Sequence, residues 1–209
     1  MSIATLLPER AGRAPGSPSY IASSLDSALT EIVRKVFVRP DGSGCQAVAI
    51  IYARPEEGAT LLCASLANLL GDLHGKVLAI SARELLIAAA GTQGLEEIHF
   101  VNIGNSSVWV APAKSGLPAP ESQVQDLEIA IASVRNQFDF VVIDGGTFFD
   151  IKRVEGIGRY IDGFLVVVNE AGTVVRDLVE VRKRILNSGG RILGSLYSAT
   201  NKSSMAGVR

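Results

Sequence analysis

The chain has 209 residues, 47% of them hydrophobic and 20% charged, enough apolar material for a substantial core. Its 20 Lys and Arg nearly cancel its 21 Asp and Glu, and a net charge of −1 excludes both a globally basic nucleic-acid binder and a strongly acidic tail. Two cysteines (Cys45 and Cys63) and two histidines exclude a disulfide framework and a His-rich metal site, and no apolar run approaches the roughly 20 residues of a spanning helix.

Residues 1–19 are rich in Ala, Gly, Pro, Ser and Arg and show no period, so a flexible arm is predicted there; without an apolar signal core, the chain is expected in the cytoplasm. Across Ile21–Phe37, Leu25, Leu29, Ile32, Val33 and Val36 recur at helical spacing, and Arg39–Gly44 follows as a loop. Ala47–Tyr52 is short, apolar and rich in β-branched residues, a buried strand. Gly58–Leu73 places Leu62, Leu66, Leu69 and Leu73 on one face of a helix. Lys76–Ile80 is a second strand and Arg83–Ala90 a short helix. Val108–Val110 is a strand, followed by a Pro/Gly/Ser loop to Ser122. Val124, Leu127, Ile131 and Val134 stripe the next helix, and Phe138–Asp144 is a strand ending in a carboxylate. Asp162–Val168 is a continuous apolar strand. Val174, Leu178, Val181 and Ile185 mark a helix that stops at Gly189–Gly190, and Arg191–Tyr197 is the last strand before a tail at 201–209.

Strands apolar on both faces, alternating with helices, predict one α/β domain over 20–200, a parallel sheet covered on both sides. Ligands of such sheets bind at the carboxyl ends of the strands. The loops after Tyr52, Ile80 and Asp144 are therefore the candidate site.

The first of these loops reads Arg54-Pro55-Glu56-Glu57-Gly58-Ala59-Thr60 between a strand and a helix. A phosphate loop has the frame G-x-x-x-x-G-K-[ST], in which glycines let backbone amides wrap phosphate, lysine neutralises it and the hydroxyl holds Mg²⁺. Gly58 and Thr60 keep the frame, but Ala59 stands at the lysine position and two carboxylates, Glu56 and Glu57, stand in the loop. Losing the ammonium removes a contact worth about 1.5–3 kcal/mol. Two readings follow. The loop is a nucleotide-free turn, or it is a weakened cradle in which Arg54 supplies the cation and the helix N-terminus supplies the amides.

Asp144 reads either as a Mg²⁺ or water contact or as the cap of the turn at Gly145–Gly146. Ser81 and Arg83 could meet an anion, with Ser81 as the cap of the following helix the simpler assignment. Arg176, Arg182, Lys183, Arg184 and Arg191 form a basic group that is either a solvated face with pairs such as Glu180–Arg184 or a surface for nucleic acid or anionic lipid. Trp109 reads as a contact residue or as part of the core.

Four segments, in order, resemble the cytoplasmic bacterial tyrosine-kinase (BY-kinase) domains of polysaccharide synthesis, which share a MinD/ParA-like fold. ARPEEGATLLCASLA at Ala53–Ala67 is similar to the family's A-x-P-G-E-G-K-S-T-x-A-x-N-L-A. KVLAISAR at Lys76–Arg83 is similar to K-V-L-L-I-D-A-D. VWVAPAKSG at Val108–Gly116 is similar to L-x-V-L-P-A-G, and FDFVVIDGGTFFD at Phe138–Asp150 to Y-D-Y-V-I-I-D-T-P-P-x-x-D. Tyr160–Gly194 resembles the family's ending as well.

The resemblance implies a three-layer, parallel-sheet P-loop domain. It also implies a place in exopolysaccharide or capsule synthesis beside a membrane polysaccharide co-polymerase or export protein, at the inner membrane through that partner. The departures fall on the chemistry. Ala59 replaces the phosphate-binding lysine, Ser81 and Arg83 replace two metal-side aspartates, and 201–209 lacks the acceptor tyrosines; Thr60 and Asp144 are kept. Only Glu31-x-x-Arg34 remains of the family's ring-forming E-x-x-R-x-x-R, which leaves a homo-oligomer open. Each lost charged group commonly slows such a reaction on the order of 10²-fold.

The expected function is therefore a non-catalytic, pseudokinase-like component of that pathway, with no catalytic residue and no resident metal. ATP or ADP with Mg²⁺ would be held only weakly, through 54–60 and Asp144. The helix Ile21–Phe37 and the preceding arm are the expected docking elements. Two alternatives remain: a residual autokinase or ATPase using Arg54, Thr60 and Asp144, and a ParA-like adaptor for DNA or a membrane surface using Arg176–Arg191. Nucleic acid is not the expected partner.

Overall fold

A computed structural model describes residues 27–38, 46–52, 59–90, 100–103, 106–111, 124–147, 156–169 and 173–198. The predicted arm at 1–19, the loop at 39–44 and the tail at 201–209 lie outside the described residues.

The interior strand β1 (Ala47–Tyr52) is buried along its whole length, and its alternation explains the architecture. Ala47, Ala49 and Ile51 enter one core cluster while Val48, Ile50 and Tyr52 enter another. A strand apolar on both faces has to be covered on both faces. The remaining strands are β2 (Val77–Ser81), β3 (Val101–Asn102), β4 (Val108–Val110), β5 (Phe140–Thr147), β6 (Gly163–Asn169) and β7 (Ile192–Ser198). They form one sheet in the order β3-β4-β2-β5-β1-β6-β7. Every neighbouring pair is parallel except β3 and β4, which run antiparallel at one edge.

Helix α1 runs from 27 to 37. The other helices are α2 (Ala59–Leu73), α3 (Ala82–Ala90), α4 (Val124–Gln137) and α5 (Val175–Asn187). One face of the sheet packs on α1 and α2 through Val36, Phe37, Leu66 and Leu70. The other packs on α3, α4 and α5 through Leu85, Leu127, Ile131, Val181 and Ile185. The three layers are those expected from the alternation of strands and helices.

Three elements differ from expectation. β3 was not anticipated: two residues carry no readable period. β5 begins two residues later than predicted because Phe138 closes α4, its N–H donating to Val134 O at 3.0 Å. The Phe138 ring then packs edge-on to Phe100 and Trp109, with Lys76 Nζ 4.6 Å from its centroid and 4.9 Å from that of Trp109. Trp109 is thus occupied by the chain itself. α1 also changes pitch: Val33–Phe37 is a π-helical turn closed by Val38 N–H to Val33 O at 2.8 Å.

That turn corrects the assignment of Ile21–Phe37 as a docking helix. Leu29, Ile32, Val33, Val36 and Phe37 are all buried against the chain's own sheet and α2, so the apolar stripe is not available to a partner. On the outward side, Glu31 pairs with Arg34 at 2.9 Å and Lys35 at 2.6 Å. These hydrogen bonds, Lys35 first, hold the Glu31 carboxyl below its usual range.

At the amino-terminal end of the sheet, one carboxylate joins three elements. Asp162 Oδ2 accepts from Gln46 N at 2.8 Å and Ala47 N at 2.7 Å, and it faces the Arg135 guanidinium at 3.1 Å. Gln46 Nε2 donates to Arg135 O and Phe138 O at 2.8 and 2.9 Å. The starts of β1 and β6 and the end of α4 are thereby held together. Asp162→Ala leaves two strand-opening amides without their acceptor. The change is expected to cost about 2 kcal/mol, read as a lower urea midpoint at unchanged slope. A midpoint equal to that of the parent protein would show the network to be dispensable.

Candidate functional site

The carboxyl ends of β1, β2 and β5 lie side by side because β5 sits between the other two. Arg54, Pro55, Glu56, Glu57 and Gly58 lie outside the described residues. Ala59 and Thr60 open α2, so a helix N-terminus follows β1 as predicted.

β2 ends at Ser81, whose register partner on β5 is Asp144. The two side-chain positions are therefore adjacent across the sheet, which brings the second and fourth family-like segments together. Ser81 Oγ accepts a hydrogen bond from Glu84 N at 3.1 Å, three residues into α3. This is the helix-capping role, and it fixes where α3 starts. The next turn carries Arg83, whose Nη1 donates to the buried Glu84 Oε1 at 2.9 Å. A cation thus stands at the rim with its own carboxylate beside it.

Asp144 is half-buried, and its Oδ1 accepts from Gly146 N at 2.9 Å. Gly146 has φ 75°, a left-handed conformation that glycine adopts without strain. The predicted hydrogen bond to the glycine pair is present, but β5 does not end at Asp144 as expected: it continues through Gly145 and Gly146 to Thr147, with a register irregularity opposite Ile50–Tyr52. The carboxylate is held in place by the chain's own backbone.

Beneath these strand ends lies a pair that sequence reasoning missed. Tyr52, the last residue of β1, places its hydroxyl 3.2 Å from Cys63 Sγ on α2, and both side chains are buried. Burial pushes the Cys63 thiol up to about 12, with the nearby Asp144 charge adding to the rise. Burial first, then Cys63, raises the Tyr52 hydroxyl above its ordinary value, with a smaller push from Asp144. Burial thus favours the neutral form of both groups, and the Cys63 thiol faces the Tyr52 hydroxyl. The available signal was the alternation of β1, which turns Tyr52 toward the same layer as α2.

Of the predicted site residues, Arg54 to Gly58 lie outside the described residues, Ala59 and Thr60 open α2, and Asp144, Ser81 and Arg83 are brought to one rim. Among the described residues no group of three His, Cys, Asp or Glu could hold a metal ion. No described helix is long and apolar enough to cross a membrane.

No family model and no curated protein matches the chain. Solved structures do. The VpsO kinase domain superposes with a TM-score of 0.69 at 20% identity, covering 87% of this chain and 96% of that one. The kinase domain of the Escherichia coli tyrosine kinase ETK gives a TM-score of 0.69 at 17% identity, over 90% of this chain and 79% of that one. The MinD cell division protein of Aquifex aeolicus gives 0.54 at 18% identity, over 74% and 68%. These likenesses span most of the chain and are likenesses of backbone course. The chain has the P-loop fold shared by the bacterial tyrosine-kinase domains and the MinD-like ATPases.

Proposed function

We propose that this chain is a non-catalytic, pseudokinase-like component of exopolysaccharide or capsule biosynthesis and export, acting at the inner membrane by docking on a chain-length or export protein. The observation that carries the loss of catalysis is the register pair Ser81 and Asp144. Where the resembling motifs set a second carboxylate beside the first, a hydroxyl caps a helix and Arg83 follows it. Mg²⁺ takes hard oxygen ligands, chiefly carboxylates and phosphates. A single strand-end carboxylate already bonded to the chain's own Gly146 amide is a poor ligand set for it, and Ala59 supplies no cation for the phosphates that would carry the metal. The pathway and the membrane partner rest on the resemblance of the four segments together with the shared fold.

The test is calorimetric titration of the purified chain with MgATP, coupled to detection of phosphotyrosine after incubation with the nucleotide. Neither micromolar binding nor phosphotyrosine is expected. Phosphotyrosine that disappears in Asp144→Ala would overturn the reading and restore an autokinase.

A further inference from the structure

Helix α5 has a second apolar face that the core does not use. Leu178, Val181 and Ile185 pack on the sheet. Val175, Val179 and Leu186 are respectively 74%, 62% and 50% exposed. At 3.6 residues per turn these three fall within an arc of about 40° and form one row along the helix.

The charges around that row are sorted. Arg182 flanks it on one side and Arg176 and Lys183 on the other, all three exposed. The two acids of α5, Asp177 and Glu180, lie on the far arc, and Glu180 is already engaged by Arg184 Nε at 2.7 Å. Hydrogen bonding to Arg184 also holds the Glu180 carboxyl below its usual range, so it stays ionised and paired. An aliphatic row bracketed by cations, with the acids turned away, is not the pattern of an ordinary solvated face with alternating signs.

The charge pattern discriminates between occupants. A nucleic-acid backbone would set its phosphates against the valines and leucine in the centre of the patch. A second copy docked by two-fold symmetry would bring like cations together. An anionic bilayer satisfies both components. Short aliphatic side chains enter the boundary between headgroups and acyl chains while the flanking cations meet lipid phosphates. We propose that this face of α5 binds directly to anionic lipid surfaces. The contact requires neither a protein partner nor a nucleotide, so it stands or falls separately from the pseudokinase reading.

The test is cosedimentation of the full chain with vesicles of phosphatidylcholine alone and of phosphatidylcholine mixed with phosphatidylglycerol, at low and high salt. Binding is expected only to the mixed vesicles, and it should weaken as salt rises. Each cation near such a surface is worth roughly fivefold in partitioning. The double variant Arg182→Glu, Lys183→Glu should therefore lose at least about tenfold. Val179→Ser should lose severalfold through the apolar component, and Glu31→Gln on the opposite face of the sheet should lose nothing. Val179, Arg182 and Lys183 are exposed, so the α5 variants should melt with the parent protein. Equal binding to neutral vesicles, no binding to anionic ones, or indifference to the α5 substitutions would each overturn the proposal. Tighter binding to a DNA duplex than to the mixed vesicles, abolished by the double variant, would reassign the face to nucleic acid. A dimer in sedimentation that dissociates in Val179→Asp would reassign it to a second copy.

Discussion

Ala59→Lys is expected to tighten MgATP binding roughly 10- to 100-fold over the natural chain, the range given by one charge-assisted contact to phosphate. The frame for that gain is present. Gly58 and Thr60 keep their spacing, and α2 opens at Ala59 directly behind β1. Helix-terminal amides and the partial positive charge of the helix do not depend on which side chain occupies position 59. The lysine would add a point charge at the start of α2. Phosphotransfer should not return with binding, because Ser81 and Arg83 still stand in the second segment. Calorimetry checks the first half and phosphotyrosine detection the second. If Ala59→Lys binds no better than the natural chain, the backbone cradle itself has been lost, and Glu56 and Glu57 become the residues to replace next. Restored phosphotransfer in the single variant would instead show that Ser81 and Arg83 are tolerated by the chemistry.

Gly163→Ala is expected to destabilise the chain by about 4 kcal/mol, which for a protein of this size lowers the melting temperature by roughly 10 °C. Gly163 opens β6 at φ 152°, a conformation L-residues rarely adopt. A Cβ there would lie 2.5 Å from Arg191 O and 2.8 Å from Leu193 Cγ. The oxygen is not free to retreat, because Phe164 N–H donates to it at 2.7 Å and so begins the β6–β7 ladder. Gly163 is also the register partner of Val48 on β1, so a shift would propagate to that interior strand. Gly189→Ala is the internal comparison. Its φ of 76° is likewise left-handed, but the nearest atom to an added Cβ is Arg159 Cβ at 3.5 Å. Only the conformational cost remains there, about 1–2 kcal/mol. Equal losses in the two variants would show that the close approach to Arg191 contributes nothing.

The layers of this protein were legible because burial on both faces writes a distinctive pattern. Ala47–Tyr52 and Gly163–Asn169 are nearly unbroken apolar runs, and α2 and α4 carry single leucine- or isoleucine-rich stripes. Val101–Asn102 could not be read, because an edge pair of two residues needs only two amides and a neighbour. The role of α1 was misread for a different reason. Its stripe gives the same period whether it packs on its own sheet or on a partner, and only the tertiary structure separates the two. At the candidate site, the capping roles of Ser81 and Asp144 follow from residue type and position beside a helix start or a glycine pair. The Tyr52–Cys63 contact was hidden because it joins two elements through side chains with no shared motif. Arg54 to Gly58 remain known only as a charge pattern.

The polar staple at Gln46, Arg135 and Asp162 lies at the opposite end of the sheet from Ser81 and Asp144. This separation puts the contacts that tie the strand starts together at one pole and the candidate site residues at the other. Substitutions accumulating at the second pole encounter little resistance from the first. Changes at positions 59 and 83 are therefore expected to keep the same sheet. Such a scaffold is free to change its employment without relearning how to fold.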